Sequence, residues 1–138
     1  MNRRFFFVWA VAFVVWMVGT FVVHGVLLHA DYEQLPTLFR PESDAQKYFP
    51  LLVLAHAVMS GALVWVYARG AQAKPWLGQG LRFGLAIALL TVVPTHTINY
   101  VGQPVAGVYV IKQIVFDGIL LGILGAVIAF AYRLHART

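Results

Sequence analysis

One stretch of the sequence combines ionisable side chains with the composition of a membrane-spanning helix. It covers residues 105–132 and contains Lys112, Gln113 and Asp117. A charge in the middle of a bilayer costs at least about 2.5–3.5 kcal/mol, so such a residue normally faces other helices and has a polar partner. Gln113 lies one helical turn before Asp117 and shares its face. Lys112 projects about 100° away from Gln113 and could extend towards the membrane surface. The spacing therefore predicts a polar site around Asp117.

Three histidines fall in the same half of the predicted bundle as Asp117. His24, His56 and His96 lie within about two helical turns of one end of their apolar stretches. Each ionisable group has a polar companion at helical spacing: Thr20 with His24, Ser60 with His56, Asn99 with His96, and Gln113 with Asp117. The candidate ligand-binding residues are therefore His24, His56, His96, Asn99, Lys112, Gln113 and Asp117.

Two interpretations of this cluster are open. In the first, it is a pocket for a small polar ligand, a cation or a proton. Imidazole also suits transition metals and haem, so His24, His56 and His96 are candidate metal ligands, although no His-x-x-His spacing is present. In the second, the polar groups only fix helix packing, each contributing about 0.6 kcal/mol. We expect Asp117 to be paired with Gln113, His56, His96 or Lys112.

The composition defines the surroundings of this cluster. Of the 138 residues, 61% are hydrophobic and 11% are charged, whereas soluble domains have about 25% charged residues. We therefore predict an all-α integral membrane protein in which a single domain, residues 1–138, forms a bundle of four transmembrane helices in the lipid bilayer. The helices are expected at about residues 5–28, 50–67, 81–100 and 105–132.

The connections predict the orientation of the bundle. Residues 31–47 form the one long connection, which is acidic and also contains Leu35, Leu38 and Phe39 at the spacing of one helical turn, so we expect it to be ordered against the outer face. Most Lys and Arg residues flank the helices on the other side: Arg3, Arg4, Arg69, Lys74, Arg82, Arg133 and Arg137. The positive-inside rule then predicts cytoplasmic termini and an outer 31–47 loop.

Several function classes find no support in the sequence. There is no cysteine, which excludes disulfides, zinc thiolates and thiol nucleophiles. The basic residues flank apolar segments, so we expect no nucleic-acid partner. A membrane enzyme ranks behind the other classes, because no catalytic triad, histidine box, nucleotide loop or pair of catalytic carboxylates is present.

An accessory or assembly subunit is the alternative to a binding or transport protein. Gly118, Gly122 and Gly125 form a small-residue track on the last helix. Such tracks allow close helix approach. We expect this face to pack first against another helix of the same bundle, and alternatively against a second copy of the chain or a larger membrane complex.

An Asn-Tyr pair, a short turn with Gly and Pro, and a final glycine-bearing helix occur in succession: Ile98-Asn99-Tyr100-Val101-Gly102-Gln103-Pro104, then Asp117-Gly118, Gly122 and Gly125. In these features the chain resembles an uncharacterised family of small bacterial four-helix membrane proteins, a domain of unknown function. The likeness spans most of the chain. It implies four spanning helices in a bacterial inner membrane, and it implies no activity.

Overall fold

The protein consists of helices joined by short connections. A computed structural model describes residues 3–134. Four segments are long and apolar enough to cross a membrane: Arg3–Leu27, Glu42–Gly70, Trp76–Gly102 and Gly107–Leu134. No strand forms in this part of the chain. The prediction of an all-α protein with four such helices is therefore confirmed. Arg137, which contributed to the charge count, lies outside the described residues.

The described residues form six α-helices: α1 (Arg3–Thr20), α2 (His29–Glu33), α3 (Glu42–Ala45), α4 (Phe49–Gly70), α5 (Trp76–Gly102) and α6 (Gly107–Leu134). A π-helical segment (Phe21–Leu27) continues α1, and a 3₁₀ turn (Gln46–Tyr48) joins α3 to α4.

Helix α5 begins five residues before the predicted 81–100. The reason is Pro75, whose fixed φ suits the residue before a helix. The Gln79 side chain then closes the α4–α5 turn, accepting from the Gln72 backbone N–H at 3.0 Å and donating to the Gln72 carbonyl at 3.3 Å.

The end of the first membrane segment is π-helical, whereas the sequence predicts a regular helix to residue 28. The Leu28 N–H donates to the Val23 carbonyl at 2.9 Å, which is the i→i+5 pattern of a π turn. A π turn contains more residues than an α turn, so it changes the direction of His24 relative to Thr20. The two side chains, expected to pair, instead bond to different helices.

The long connection folds over one end of the bundle. Tyr32 of α2 packs against Phe39 and Tyr109, with ring centroids 4.7 and 5.9 Å apart. Lys112 Nζ donates to both carboxylate oxygens of Asp31, at 2.9 and 3.1 Å. These contacts attach the connection to α6. We call this end the α2 end, and the opposite end, where residues 71–75 join α4 to α5, the turn end.

Helix α6 occupies the centre of the bundle. It packs against both α1 and α5, and α1 packs against α4. The buried core includes Val8, Ala12, Val64, Leu124 and Ile128. These apolar residues fill the bundle between the α2 end and the turn end.

Helices α5 and α6 approach each other at glycines. A Cβ atom added to Gly84 would collide with the Leu121 carbonyl and would lie 2.9 Å from the Gly122 Cα. A Cβ atom on Gly125 would collide with the Gly80 carbonyl. These contacts require glycine, because any side chain would push the two backbones apart. Gly125 is therefore an internal packing residue.

The remainder of the predicted glycine track is open. A Cβ atom on Gly118 or Gly122 would have no atom of a neighbouring element within 4 Å among the described residues. The glycine track thus divides into one residue packed inside the bundle and two residues that have space beside them.

We expect Gly84→Ala to lower the free energy of unfolding by about 1–3 kcal/mol, since the added methyl group overpacks the α5–α6 contact. Gly118→Ala is the matched control. It should leave stability unchanged or raise it, because alanine favours a helix by about 1 kcal/mol over glycine and nothing obstructs its Cβ. Thermal unfolding in detergent would measure both. Equal stability of the two variants would contradict the glycine contact.

Candidate functional site

Asp117 lies between two histidines from different helices. Its Oδ1 accepts from Nε2 of His24 at 3.0 Å, and its Oδ2 accepts from Nε2 of His96 at 2.9 Å. An ionised carboxylate is only an acceptor, so both Nε2 atoms carry a hydrogen. The side chains of Asp117 and His96 are 15% and 14% exposed, and that of His24 is 31% exposed. One carboxylate thus joins α1, α5 and α6 in a half-buried position.

Tyr32 extends this hydrogen-bonded chain to the α2 end. Its hydroxyl contacts Nδ1 of His24, and its ring stacks on the imidazole at a centroid distance of 6.0 Å. In a neutral His24 that donates from Nε2, Nδ1 is an acceptor, so the Tyr32 hydroxyl donates. Burial, followed by the nearby Tyr109 hydroxyl, raises the pKa of Tyr32 and keeps this donor protonated. The connected groups are His96, Asp117, His24 and Tyr32, which we call the Asp117 chain.

His56 makes a separate set of hydrogen bonds. Its Nδ1 lies 2.9 Å from the Leu52 carbonyl, which can only accept, so Nδ1 carries the hydrogen. In the neutral ring, Nε2 then accepts from the Thr20 hydroxyl at 3.0 Å. The Trp16 ring packs edge-on against the imidazole, with centroids 5.7 Å apart. His56 is therefore a buried histidine that joins α4 to α1.

A cavity of about 230 Å³ lies between the Asp117 chain and His56. Residues from all four long helices line it, and its polar lining consists of Thr20, His24, His56, Thr91 and Asp117. The rest of the lining is apolar and includes Val92 and Leu121. At roughly 30 Å³ per water molecule, such a volume holds about seven waters or one small solute. The cavity thus places a carboxylate, imidazoles and hydroxyl groups around a space of ligand size.

Three predicted site residues lie outside this arrangement. Lys112 pairs with Asp31 at the α2 end. Gln113 donates to the Tyr109 hydroxyl at 3.0 Å. Asn99 is exposed, and its side chain makes no hydrogen bond within the described residues. Of the four partners expected for Asp117, only His96 contacts it. Lys112 and Gln113 have partners at the α2 end, and His56 bonds to Thr20 and to the Leu52 carbonyl.

None of the four predicted pairs within single helices forms a hydrogen bond among the described residues. Several of their members bond to another helix instead: Thr20 to His56, and His24 and His96 to Asp117. Ser60 does not contact His56; it accepts from Trp9 Nε1 at 3.2 Å and donates to the Ala57 carbonyl at 3.1 Å. Sequence reasoning also missed Tyr32, which lies in the connection after the first membrane segment, outside the predicted long helices. The available signal was an aromatic residue directly after His29 and Asp31, at the end where the predicted polar groups gather.

Most ring nitrogens of the candidate metal ligands His24, His56 and His96 take part in hydrogen bonds. Both ring nitrogens of His24 and of His56 have hydrogen-bond partners, and Nε2 of His96 faces Asp117. No group of three or more metal-ligating side chains forms in the described part of the chain. The arrangement instead suits hydrogen bonding and proton exchange, since its members are carboxylate, imidazole and phenol groups.

Comparisons with protein-family models, with curated proteins and with solved structures find no match. The resemblance to small bacterial four-helix proteins therefore stays an expectation. Any function has to be argued from the site itself.

We expect replacements of Asp117 to destabilise the bundle in a graded way. Asp117→Leu leaves two imidazole N–H groups without an acceptor, at about 1–3 kcal/mol each. Asp117→Asn should cost less, because the amide oxygen still accepts one hydrogen bond. Thr97→Ala is the control, since the exposed Thr97 hydroxyl bonds only to the Val93 carbonyl of its own helix. Equal free energies of unfolding for all three variants would show that the hydrogen bonds of the Asp117 chain do not stabilise the helix packing.

Proposed function

We propose that this chain is a multi-pass membrane protein that binds a proton or a small cation in the cavity beside Asp117. The observation that carries the proposal is the position of Asp117, held by two histidines at the edge of a 230 Å³ cavity between apolar helices. Uncharged solutes fit this cavity less well, because they leave the negative charge of the Asp117 carboxylate unbalanced.

The net charge of the Asp117 chain favours a positive ligand. With both imidazoles neutral, the carboxylate leaves the group at a net charge of −1, and no Lys or Arg side chain contacts it within the described residues. An uncompensated charge at membrane depth is costly. One bound proton on the histidine pair, or one small cation beside the carboxylate, brings the group to neutrality. The hydroxyls of Thr20 and Thr91 supply oxygen acceptors for the same ligand.

The surroundings support access from the α2 end. On that side, His24 and Tyr32 continue the polar chain towards Asp31 and Lys112. Towards the turn end, the buried residues that follow Asp117 on α6 offer no polar side chain: Leu120, Leu121, Leu124, Gly125 and Ile128. This polarity gradient supports binding and exchange at one face of the membrane over passage through the whole bundle.

Competition between a cation and a proton tests the proposal. Ammonium added to the purified protein at constant pH should bind and release protons, because both ligands neutralise the same carboxylate. In Asp117→Asn, ammonium binding should weaken at least about tenfold and proton release should disappear. His29→Gln, which removes an exposed histidine paired only with Glu33, is the control and should behave like the wild type.

Calorimetry and a pH-indicator dye would measure heat and proton release together. Absence of both in the wild type, or equal release from Asp117→Asn, would overturn the proposal. Binding of a neutral solute without proton release would instead assign the cavity to an uncharged polar ligand.

The orientation and location form part of the same proposal. The positive-inside rule supports cytoplasmic termini and an α2 end on the outer side, and the family resemblance supports a bacterial inner membrane. We expect reporters placed after Leu134 and inside residues 71–75 to lie in the cytoplasm, and a reporter inserted within residues 36–41 to lie outside. Reporters at 36–41 and 71–75 on the same side of the membrane would refute this topology.

An accessory or assembly role is the second candidate. It is favoured by Gly118 and Gly122, which leave open space beside α6 where a helix of a partner could approach. The ammonium experiment separates the two functions, because an assembly subunit has no reason to release protons on binding a cation.

A further inference from the structure

A second cavity lies at the turn end, far along the bundle from Asp117. Its volume is about 820 Å³, and it is bounded by the start of α1, the α4–α5 turn and the end of α6. Its lining includes three cationic side chains, Arg4, Lys74 and Arg133, and three aromatic ones, Tyr67, Trp76 and Tyr132. The site is thus distinct in position and in charge from the cavity beside Asp117.

No acidic side chain among the described residues balances the positive charge of this cavity. The sequence contains five acidic residues, and these are Asp31, Glu33, Glu42, Asp44 and Asp117. None of them lines the cavity, and none of its three cations forms an ion pair with a described residue. A concave surface of one sign concentrates counter-ions of the other sign. The ligand that complements this surface is an anion.

Arg4 is the cation of this cavity that a bound anion would stabilise most. Its guanidinium carbon lies 3.3 Å from the centroid of the Tyr132 ring, and a terminal nitrogen donates to the Tyr132 carbonyl. Its Nε is buried and has no hydrogen-bond partner within the described residues. A buried charged donor without an acceptor is costly, so an incoming oxyanion gains an already oriented guanidinium.

The cavity wall is built by specific contacts. Gln79 bonds the Gln72 backbone on both its N–H and carbonyl groups, and the Tyr67 hydroxyl donates to the same Gln79 side chain at 3.4 Å. Helix α5 begins beside it at Trp76, and the backbone N–H groups of a first helical turn add further anion donors.

We propose that this turn-end cavity binds a phosphate group, carried either by the headgroup of an anionic phospholipid or by a soluble phosphate compound. Planar guanidinium groups match phosphate oxygens, and aromatic rings are typical of the headgroup region of a bilayer. The volume falls in the range of about 300–1,000 Å³ that small-molecule sites occupy. No residue of the Asp117 chain lines the turn-end cavity, so phosphate binding there is independent of the proposed function.

Lipid binding to the purified full chain tests the proposal. Native mass spectrometry in a neutral detergent would compare phosphatidylglycerol with phosphatidylcholine of the same acyl chains. We expect phosphatidylglycerol to bind at least about tenfold more tightly. Lys74→Gln and Arg133→Gln should each weaken its binding about fivefold, the effect of one cation near an anionic lipid. Arg4→Gln should weaken it at least as much.

Arg69→Gln is the matched control. It removes the same charge at the same end, but Arg69 packs over the Trp65 ring at 4.0 Å and does not line the cavity. This variant should keep the affinity of the wild type. An equal loss of phosphatidylglycerol affinity in Arg69→Gln and Lys74→Gln would show that only the general surface charge matters. That result would refute the proposed site.

Inorganic phosphate, added in place of lipid, distinguishes the two sources. Displacement of phosphatidylglycerol by inorganic phosphate, together with a raised unfolding temperature, would assign the cavity to a soluble phosphate compound. Phosphatidylglycerol binding that resists inorganic phosphate would assign it to a lipid. No preference for phosphatidylglycerol and no response to phosphate in the wild type would refute the proposal. If Arg4→Gln fails to fold, the exposed residues Lys74 and Arg133 still decide the outcome.

Discussion

A carboxylate among apolar helices has to be hydrogen-bonded, and this requirement controls the arrangement of the protein around Asp117. Its two oxygens accept from His24 of the π-helical segment and from His96 of α5. The two bonds align three helices at one level. The π turn that contains His24 contributes to this alignment, since a regular helix would direct the imidazole elsewhere.

The glycine contact between α5 and α6 sets the rest of the geometry. Gly80, Gly84 and Gly125 bring the two backbones together near the turn end. Farther along, His96 and Asp117 meet across the same pair of helices through side chains. A backbone contact at one level and a side-chain contact at another hold α5 and α6 as a rigid pair against which α1 and α4 pack. The 230 Å³ cavity lies between this pair and the other two long helices.

The two ends of the bundle have opposite chemistry. The α2 end carries the ion pair between Lys112 and Asp31, and beside it polar contacts run from Tyr32 through His24 to Asp117. The turn end carries uncompensated cations and aromatic rings. The proposed cation site beside Asp117 and the proposed phosphate site at the turn end therefore lie at different levels of the bundle and differ in charge.

The sequence by itself determined the class of fold and the residue types available for chemistry. A long apolar stretch forms a helix, because a helix satisfies its backbone hydrogen bonds within the segment. An Asp within such a stretch requires a polar partner. Periodicity nominated neighbours on the same helix, such as Gln113 for Asp117 and Thr20 for His24, and position along the helices added His56 and His96 as candidates for Asp117. Only the tertiary structure decided that the partners are His24 and His96, and that Tyr32 joins from a connection. Those contacts depend on how the helices rotate and cross. Rotation in turn depends on the π turn and on the glycine contacts. Glycines four residues apart, such as Gly80 and Gly84, mark a face where another helix could approach, but only three-dimensional packing decides which glycines meet.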